Sequence, residues 1–342
     1  MKKLILVFAV IGFTTLAQAQ GNKTPYITKN ISETIKQVQV ETSGGSIEVA
    51  GGTNETKVEV FITGNNGLNA ISNEEIEARL KESYTLDVHV TDDKLVAIAK
   101  QKSNNMNWKK SLSISFKIYV PVQVNTQLTT SGGSINLSNL NGSQRFATSG
   151  GSLTLDKLAG NTKGSTSGGS IKVSNSTDNI DLSTSGGSIN ADGCKGNLDL
   201  STSGGSVHLF NLDGIINAAT SGGKIEGNNI TGELSAATSG GSINLTNIAG
   251  SLSAGTSGGS MNIGITKMGS YLKLGNSGGN IDISLPKNQG LDLDLKANKI
   301  KVSSLNNFNG TTDENSINGT LNGGGVPVKV KASSGRININ FN

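Results

Sequence analysis

The sequence predicts an all-β chain folded as a right-handed parallel β-solenoid (β-helix) of 18-residue coils, with a short helix-containing insertion near the N-terminus. Three observations predict it. Thr-Ser-Gly-Gly begins at Thr130, Thr148, Thr166, Thr184, Thr202, Thr220, Thr238 and Thr256, each start 18 residues after the last. Apolar residues return at the same places within every repeat. Composition fits a thin stack: the 342 residues include 46 Gly and 4 Pro, with 4% aromatic and 16% charged residues. A fixed short period marks a solenoid, because one unit cannot bury its own apolar side chains and must stack on its neighbours.

With Thr130 as the first place, the sixth place holds Ile135, Leu153, Ile171, Ile189, Val207, Ile225, Ile243 and Met261. The eighth holds Leu137, Leu155, Val173, Ala191, Leu209, Leu245 and Ile263, with Gly227 the exception. A second alternating pair sits at the fifteenth and seventeenth places, as in Ile180 with Leu182 and Leu198 with Leu200. Two period-two runs per unit predict two short strands per coil. Between them the eleventh place is apolar (Leu140, Leu158, Cys194, Leu212, Ile230, Ile248), and two places on comes a glycine, replaced only by Asp178. That position is the bend, since Gly and Asp tolerate positive backbone angles. The glycine pair at the third and fourth places makes the opposite corner. Asn139, Asn175, Asn211, Asn229 and Asn247 share the tenth place and predict an asparagine ladder. By parity with the inward fifteenth and seventeenth places, each repeat Thr points inward to bond corner backbone. At about 4.8 Å per coil the regular section spans roughly 40 Å. Parallel crossovers are right-handed by default.

Outside the repeats, residues 1–19 read as a cleaved signal peptide: Lys2 and Lys3, an apolar run from Leu4 to Phe13, then Ala17-Gln18-Ala19. About ten apolar residues are too few to span a bilayer, and no later segment is apolar enough to cross one. Residues 20–342 read as a single domain: N-terminal capping coils over 20–129, regular coils over 130–284 and degenerate coils over 285–342. Thr42-Ser43-Gly44-Gly45 gives a first coil, with Val58, Val60 and Ile62 expected to continue it past a longer bend. The insertion at about 64–112 carries a helix from about Asn73 to Ser83, signalled by the capping box Ser72/Glu75 and the Ile71/Ile76 staple. A hairpin turning at Asp92-Asp93 and a strand ending before Pro121 follow. This section is expected to shield the open edge of the first coil. After Thr256 the period lengthens to 20 residues, reaching Asn276-Ser277-Gly278-Gly279, and a last echo stands at Ser333-Ser334-Gly335-Arg336.

The early Glu41-Thr42-Ser43-Gly44-Gly45-Ser46-Ile47, the strand Ser113–Pro121 leading into Thr130-Ser131-Gly132-Gly133, the repeated coils and the closing Ser334-Gly335-Arg336-Ile337 together carry a resemblance. The chain resembles a bacterial family of unknown function whose members are called putative adhesins and are secreted or envelope-attached β-solenoids. The resemblance implies an adhesive role, with a possible place near envelope-stress signalling.

No catalytic, cofactor-binding or metal-binding residues are assigned. The sixteenth place runs Arg145, Lys163, Asp181, Asp199, Asn217, Ser235, Ser253. It sets Asp181 beside Asp199 at one coil spacing, close enough to raise a pKa or hold a cation. The plainer reading is a solvated stripe in which Lys163 pairs Asp181, with no third acid or basic partner. His208 stands in a varied, outward column and His89 in the hairpin, so no histidine cluster forms. Gly132-Gly133-Ser134-Ile135-Asn136-Leu137 lacks the third glycine and the aspartate of a calcium-binding nonapeptide. Cys194 is predicted to be a buried, inert thiol. Trp108, Lys109 and Lys110 read as an exposed loop tip. The net charge of +4 falls by two with loss of the leader lysines, too little to point to nucleic acid or an anionic membrane.

These readings converge on a non-enzymatic, secreted, periplasmic or surface-exposed chain whose polar Ser, Asn and Thr sides contact protein or glycan, without cofactor. The alternative is a periplasmic or stress-associated scaffold that binds a protein partner at one end or through the insertion. A glycan-cleaving β-helix enzyme ranks third. N-terminal sequencing of the exported protein is expected to begin at Gln20. A product retaining Met1 would make the leader an uncleaved anchor.

Overall fold

The structure is a computed structural model that describes residues 24–64, 71–103 and 111–342. The expected signal peptide at 1–19 and the expected exposed tip at Trp108, Lys109 and Lys110 lie outside the described residues. The chain is nearly all strand, with one described helix, Asn73–Ser83. Strands pair in parallel at a constant offset: Leu153 lies beside Ile135 and Ile171, Ile180 beside Leu198, and Ile225 beside Ile243. Each partner is 18 residues away, so like residues lie over like in a β-solenoid-like stack. The sixth-place residues from Ile135 to Met261 are all at most 1% exposed, and the inward residues of both strand segments form one continuous core. Gly227 leaves no hole at the eighth place, because Leu245 and Ile230 reach into the space a side chain would take.

The expected two strands per coil are only partly separate. In most coils one strand runs through the bend, as in Ile135–Thr148 and Val207–Thr220, whereas two coils split, as in Ile171–Ser174 and Thr177–Thr184. The bend comes from two residues with positive φ. The tenth place is left-handed in Asn139, Lys157, Asn175, Gly193, Asn211, Asn229 and Asn247, with φ between 51° and 65°. The thirteenth place holds glycines at larger positive φ, with Asp178 at 75°. Because the left-handed region suits Asn, the asparagine column is chiefly a backbone requirement rather than the expected ladder. Of its members, Asn229 donates to Asn211 (2.8 Å), while Asn139 donates to Gly51 O and Asn175 to Asp156. The true asparagine ladder lies at the fourteenth place, where Asn197 donates to Asn179 and Asn179 to Asn161 at 3.0 and 2.9 Å.

Each repeat Thr is buried, 2–6% exposed, and its hydroxyl ties one coil to the next. Thr148 Oγ1 donates to Gly133 O (2.8 Å) of the preceding coil and accepts from Gly151 N (3.2 Å) of its own corner. The same pair of bonds recurs from Thr130 to Thr256. Where the motif becomes Asn276, the amide does both tasks: Nδ2 donates to Gly259 O (2.7 Å) and Oδ1 accepts from Gly279 N (3.0 Å). The fourth-place glycine is steric. A Cβ on Gly151 would stand 1.9 Å from Gly133 O, and the same clash repeats along the column. At the fifth place the amide bonds sideways to the serine hydroxyl of the coil before, as Ser152 N does to Ser134 Oγ (3.2 Å).

Both ends fold back in the same way. Strands Gln37–Thr42 and Ile47–Gly51 pair on one side with the regular coils and on the other with Lys94–Gln101 and Leu112–Val120. The insertion therefore supplies the outermost coil, and Tyr84–Thr91 and Thr56–Gly64 close its edge in antiparallel fashion. Val58, Val60 and Ile62 accordingly do not continue the first coil: the chain turns at Gly52 (φ 104°) and runs back against Leu112–Val120. At the other end the final strands, Val326–Ala332 and Arg336–Phe341, slot between Met261–Asn276/Ile281–Leu285 and Leu291–Lys296/Lys299–Val302. The 20-residue spacing after Thr256 is absorbed by register shifts along Met261–Asn276. The helix starts as its signals require, with Ser72 Oγ accepting from Glu75 N and Ile76 buried.

Inside the core, places fifteen and seventeen hold residues the apolar pattern does not anticipate. Gln144 is fully buried, accepting from Thr126 Oγ1 (2.7 Å) and donating to Val124 O (2.8 Å). Phe146 spreads into space left by Gly164, where a Cβ would lie 1.9 Å from its ring. Thr162 Oγ1 is buried without a hydrogen-bond partner among the described residues.

Two isosteric substitutions should therefore differ in their effect on stability. Thr184→Val orphans Gly169 O and Gly187 N and is expected to cost about 1–3 kcal/mol in denaturant titration. Thr162→Val removes only an unpaired hydroxyl and is expected to be neutral or stabilising by up to about 1 kcal/mol.

Candidate functional site

Because side chains alternate along each strand, the sixteenth and eighteenth places form one outward face that runs the length of the stack. Lys163 Nζ lies 2.6 Å from Asp181 Oδ2, so the first carboxylate of the pair is already engaged by the lysine one coil away. Asp199 follows in register beside Asp181. The two carboxylates are adjacent, yet no third acid, histidine or cysteine joins them, and among the described residues no group of three such side chains is placed to hold a metal. The Asp181 carboxylate is half exposed and salt-bridged within a polar stripe.

This face is lightly grooved. One hollow is lined by Arg145, Phe146, Lys163, Gly164 and Asp181, a second by Ser165, Ser183 and Ser201 with the corner serines, and a third by Gly255, Gly275, Ser277 and Lys331. All three are open to solvent rather than enclosed. Such hollows fit extended chains or flat rings, not an enclosed small molecule.

His208 faces outward between the buried Val207 and Leu209, as its column predicts, with its side chain 23% exposed. Its Nδ1 lies 3.0 Å from Glu226 Oε2, and its ring stacks on Phe210 at 6.5 Å between centroids and 10° between planes. Glu226 also takes Lys224 Nζ at 2.5 Å. The bond from Lys224, with its charge and that of His208, holds the Glu226 carboxyl below the usual carboxylate range. His89 sits apart in the hairpin, 3.0 Å from Asp87.

Sequence reasoning passed over Phe210 and Ile215. They are 39% and 51% exposed, and with Val122 they are the exposed large hydrophobic residues among the described positions. The signal was available: Phe210 stands at the outward ninth place, where other coils carry Ser138, Asp156, Ser174, Asp192, Asn228 and Thr246. An aromatic ring on a flat polar sheet offers an apolar stacking surface beside hydrogen-bonding groups.

Cys194 lies in the core at 0% exposure, and burial pushes its thiol above the ordinary value. Among the described residues no helix is long and apolar enough to cross a membrane.

Residues 224–340 match the family model described as Toastrack DUF4097, a β-solenoid-like fold. That match covers the last regular coils and the C-terminal cap, and it supports the resemblance to an adhesin family of unknown function. No curated protein matches the chain. Among solved structures, a putative cell adhesion protein from Clostridium sporogenes aligns at 13% identity over 93% of this chain and 100% of its own, with TM-score 0.21. A putative adhesin from Bacteroides fragilis aligns at 14% identity over 92% and 96%, with TM-score 0.27. A putative lipid binding protein from Parabacteroides distasonis aligns at 14% identity over 75% and 98%, with TM-score 0.29. Superpositions this loose leave the fold to the pairing pattern described above.

Burial makes the thiol a direct probe of the stack. The native protein is expected to show no reaction of Cys194 with a thiol-specific chromogenic reagent at pH 8, and one full equivalent after denaturation.

Proposed function

We propose that the chain is a non-enzymatic, secreted or envelope-associated, right-handed β-solenoid that acts as an adhesin, contacting protein or glycan through its polar sides. The observation that carries this reading is the in-register repetition of outward Ser, Asn and Thr. The Asn161–Asn179–Asn197 ladder and the hollow lined by Ser165, Ser183 and Ser201 repeat the same hydrogen-bonding groups over three successive coils. Each contact is shallow and weak, and a partner that spans several coils gains by multivalency rather than by any one tight site. Phe210, in the ninth-place column of another strand segment, offers an apolar platform among the polar side chains of its own column.

The scaffold reading places binding instead on the insertion. Deleting residues 64–112 would not separate the two, because Lys94–Gln101 pairs with Gln37–Thr42 and its loss uncovers the first coil. Surface substitutions do separate them. A panel of immobilised glycans and extracellular proteins is to be probed with the mature protein, Phe210→Ser, and a helix variant carrying Glu77→Lys and Glu82→Lys. Adhesion through the coils predicts at least about a fivefold loss of retention for Phe210→Ser and none for the helix variant. The reverse pattern would replace adhesion with scaffolding. Release of reducing ends from a polysaccharide panel, abolished by Asp181→Asn or Asp199→Asn, would overturn both.

A further inference from the structure

We propose that the C-terminal end of the outward face binds an extended, carboxylate-bearing polysaccharide, gripped by Lys273, Lys331 and Lys296. The proposal rests on the adhesive reading above and names the partner's chemical class.

Parallel pairing sets Lys273 beside Lys329, and Lys331 beside Lys296. All four are exposed, each alternating with the buried residues of its strand. Neighbouring strands are about 4.8 Å apart, and like charges directly opposite each other repel. One carboxylate relieves this crowding: Asp294 Oδ2 lies 3.7 Å from Lys329 Nζ. Asp292, the other acid on that strand's outer side, accepts from Gly325 N at 3.2 Å. Lys273, Lys331 and Lys296 form no ion pair among the described residues. The chain's modest net charge is thus concentrated as two lysine rungs with too few counter-charges, and an anion seated there relieves the repulsion.

The shape beside the rungs selects the anion. Lys331 and Ser333 stand at the end of the hollow floored by Gly255 and Gly275. A Cβ at Gly275 would meet nothing within 4 Å, and one at Gly255 only Gly275 O at 3.8 Å, so the floor is bare backbone open to solvent. Ser257 and Ser277 form its wall. Sugar rings lie flat on such a floor while ring carboxylates reach the ammonium groups. A lipid surface fits less well, since Val122, Phe210 and Ile215, the exposed large hydrophobics among the described residues, all lie on other segments, and interfacial binding draws on buried apolar area.

The experiment is affinity electrophoresis of the mature protein through gels containing polygalacturonate or neutral dextran. It compares wild type with the patch variant Lys273→Gln/Lys296→Gln/Lys331→Gln and a charge-matched control, Lys81→Gln/Lys172→Gln/Lys195→Gln. Wild type and control should be retarded by polygalacturonate alone, and the patch variant roughly tenfold less. Retardation should vanish in 0.5 M salt. The patch variant should melt no lower than wild type, because only repulsion has been removed. Equal retardation of both triple variants would reduce the effect to diffuse charge and overturn the proposal, as would no retardation of wild type. Lysine-dependent binding to phosphatidylglycerol vesicles without binding to polygalacturonate would also overturn it, in favour of a lipid surface. If the protein still binds a neutral glycan or a protein while ignoring polygalacturonate, only this proposal fails. If it binds nothing in either assay, the adhesive reading fails with it.

Discussion

The structure depends on close, in-register contact between the corners of successive coils. At each corner a glycine must leave room for the carbonyl of the coil before it, since a Cβ there would stand about 2 Å from that oxygen. The same approach brings the carbonyl within 2.7–2.8 Å of the buried threonine hydroxyl. The two requirements reinforce each other. Glycine permits the approach, and threonine satisfies both the carbonyl and an amide that the sharp corner takes out of the strand ladder, which matters because unpaired buried backbone groups are costly. Asn276 shows that the constraint is chemical rather than a matter of residue identity, since an amide that both donates and accepts does the same work.

Much else follows from that registry. Fixed vertical alignment turns each position of the repeat into a column, so outward residues form continuous stripes and inward residues one core. It also creates a hazard, because parallel stacks end in unpaired strands that invite further chains. Both ends answer it alike. The terminal repeat of the chain sits one coil in from the end, and the segment beside it in sequence wraps outward to make the last coil, closed by antiparallel strands. At the C-terminal end Lys299 and Lys301 lie on Lys299–Val302, an outer strand whose charge discourages pairing.

The same registry underlies the proposed adhesive role. Columns of small polar residues leave open hollows along the stack, and on that proposal these meet extended partners through repeated weak contacts. Charge behaves differently when it is stacked. Residues distant in sequence, such as Lys273 and Lys329, become neighbours, and a chain with little net charge acquires a cationic end. Phe210, the one aromatic in an outward column of hydroxyl, amide and carboxylate side chains, marks a second departure from uniformity.

Residue pattern by itself determined the coil, its corner and bend, the inward threonines and the buried Cys194, because each is local chemistry repeated at fixed spacing, and it determined the helix cap at Ser72 because a capping box is local to four residues. It misassigned the asparagine ladder, because left-handed backbone and side-chain stacking both favour Asn and only the dihedral angles tell them apart. It took Val58–Ile62 for a continuing coil, because an alternating strand reads the same whether its partner is parallel or antiparallel. Tertiary structure alone decided the fold-back at both ends, the buried Gln144 and Phe146 with Gly164, and the pairing of lysines more than fifty residues apart. These depend on which strand lies beside which, and period and alternation carry no information about neighbours beyond the repeat.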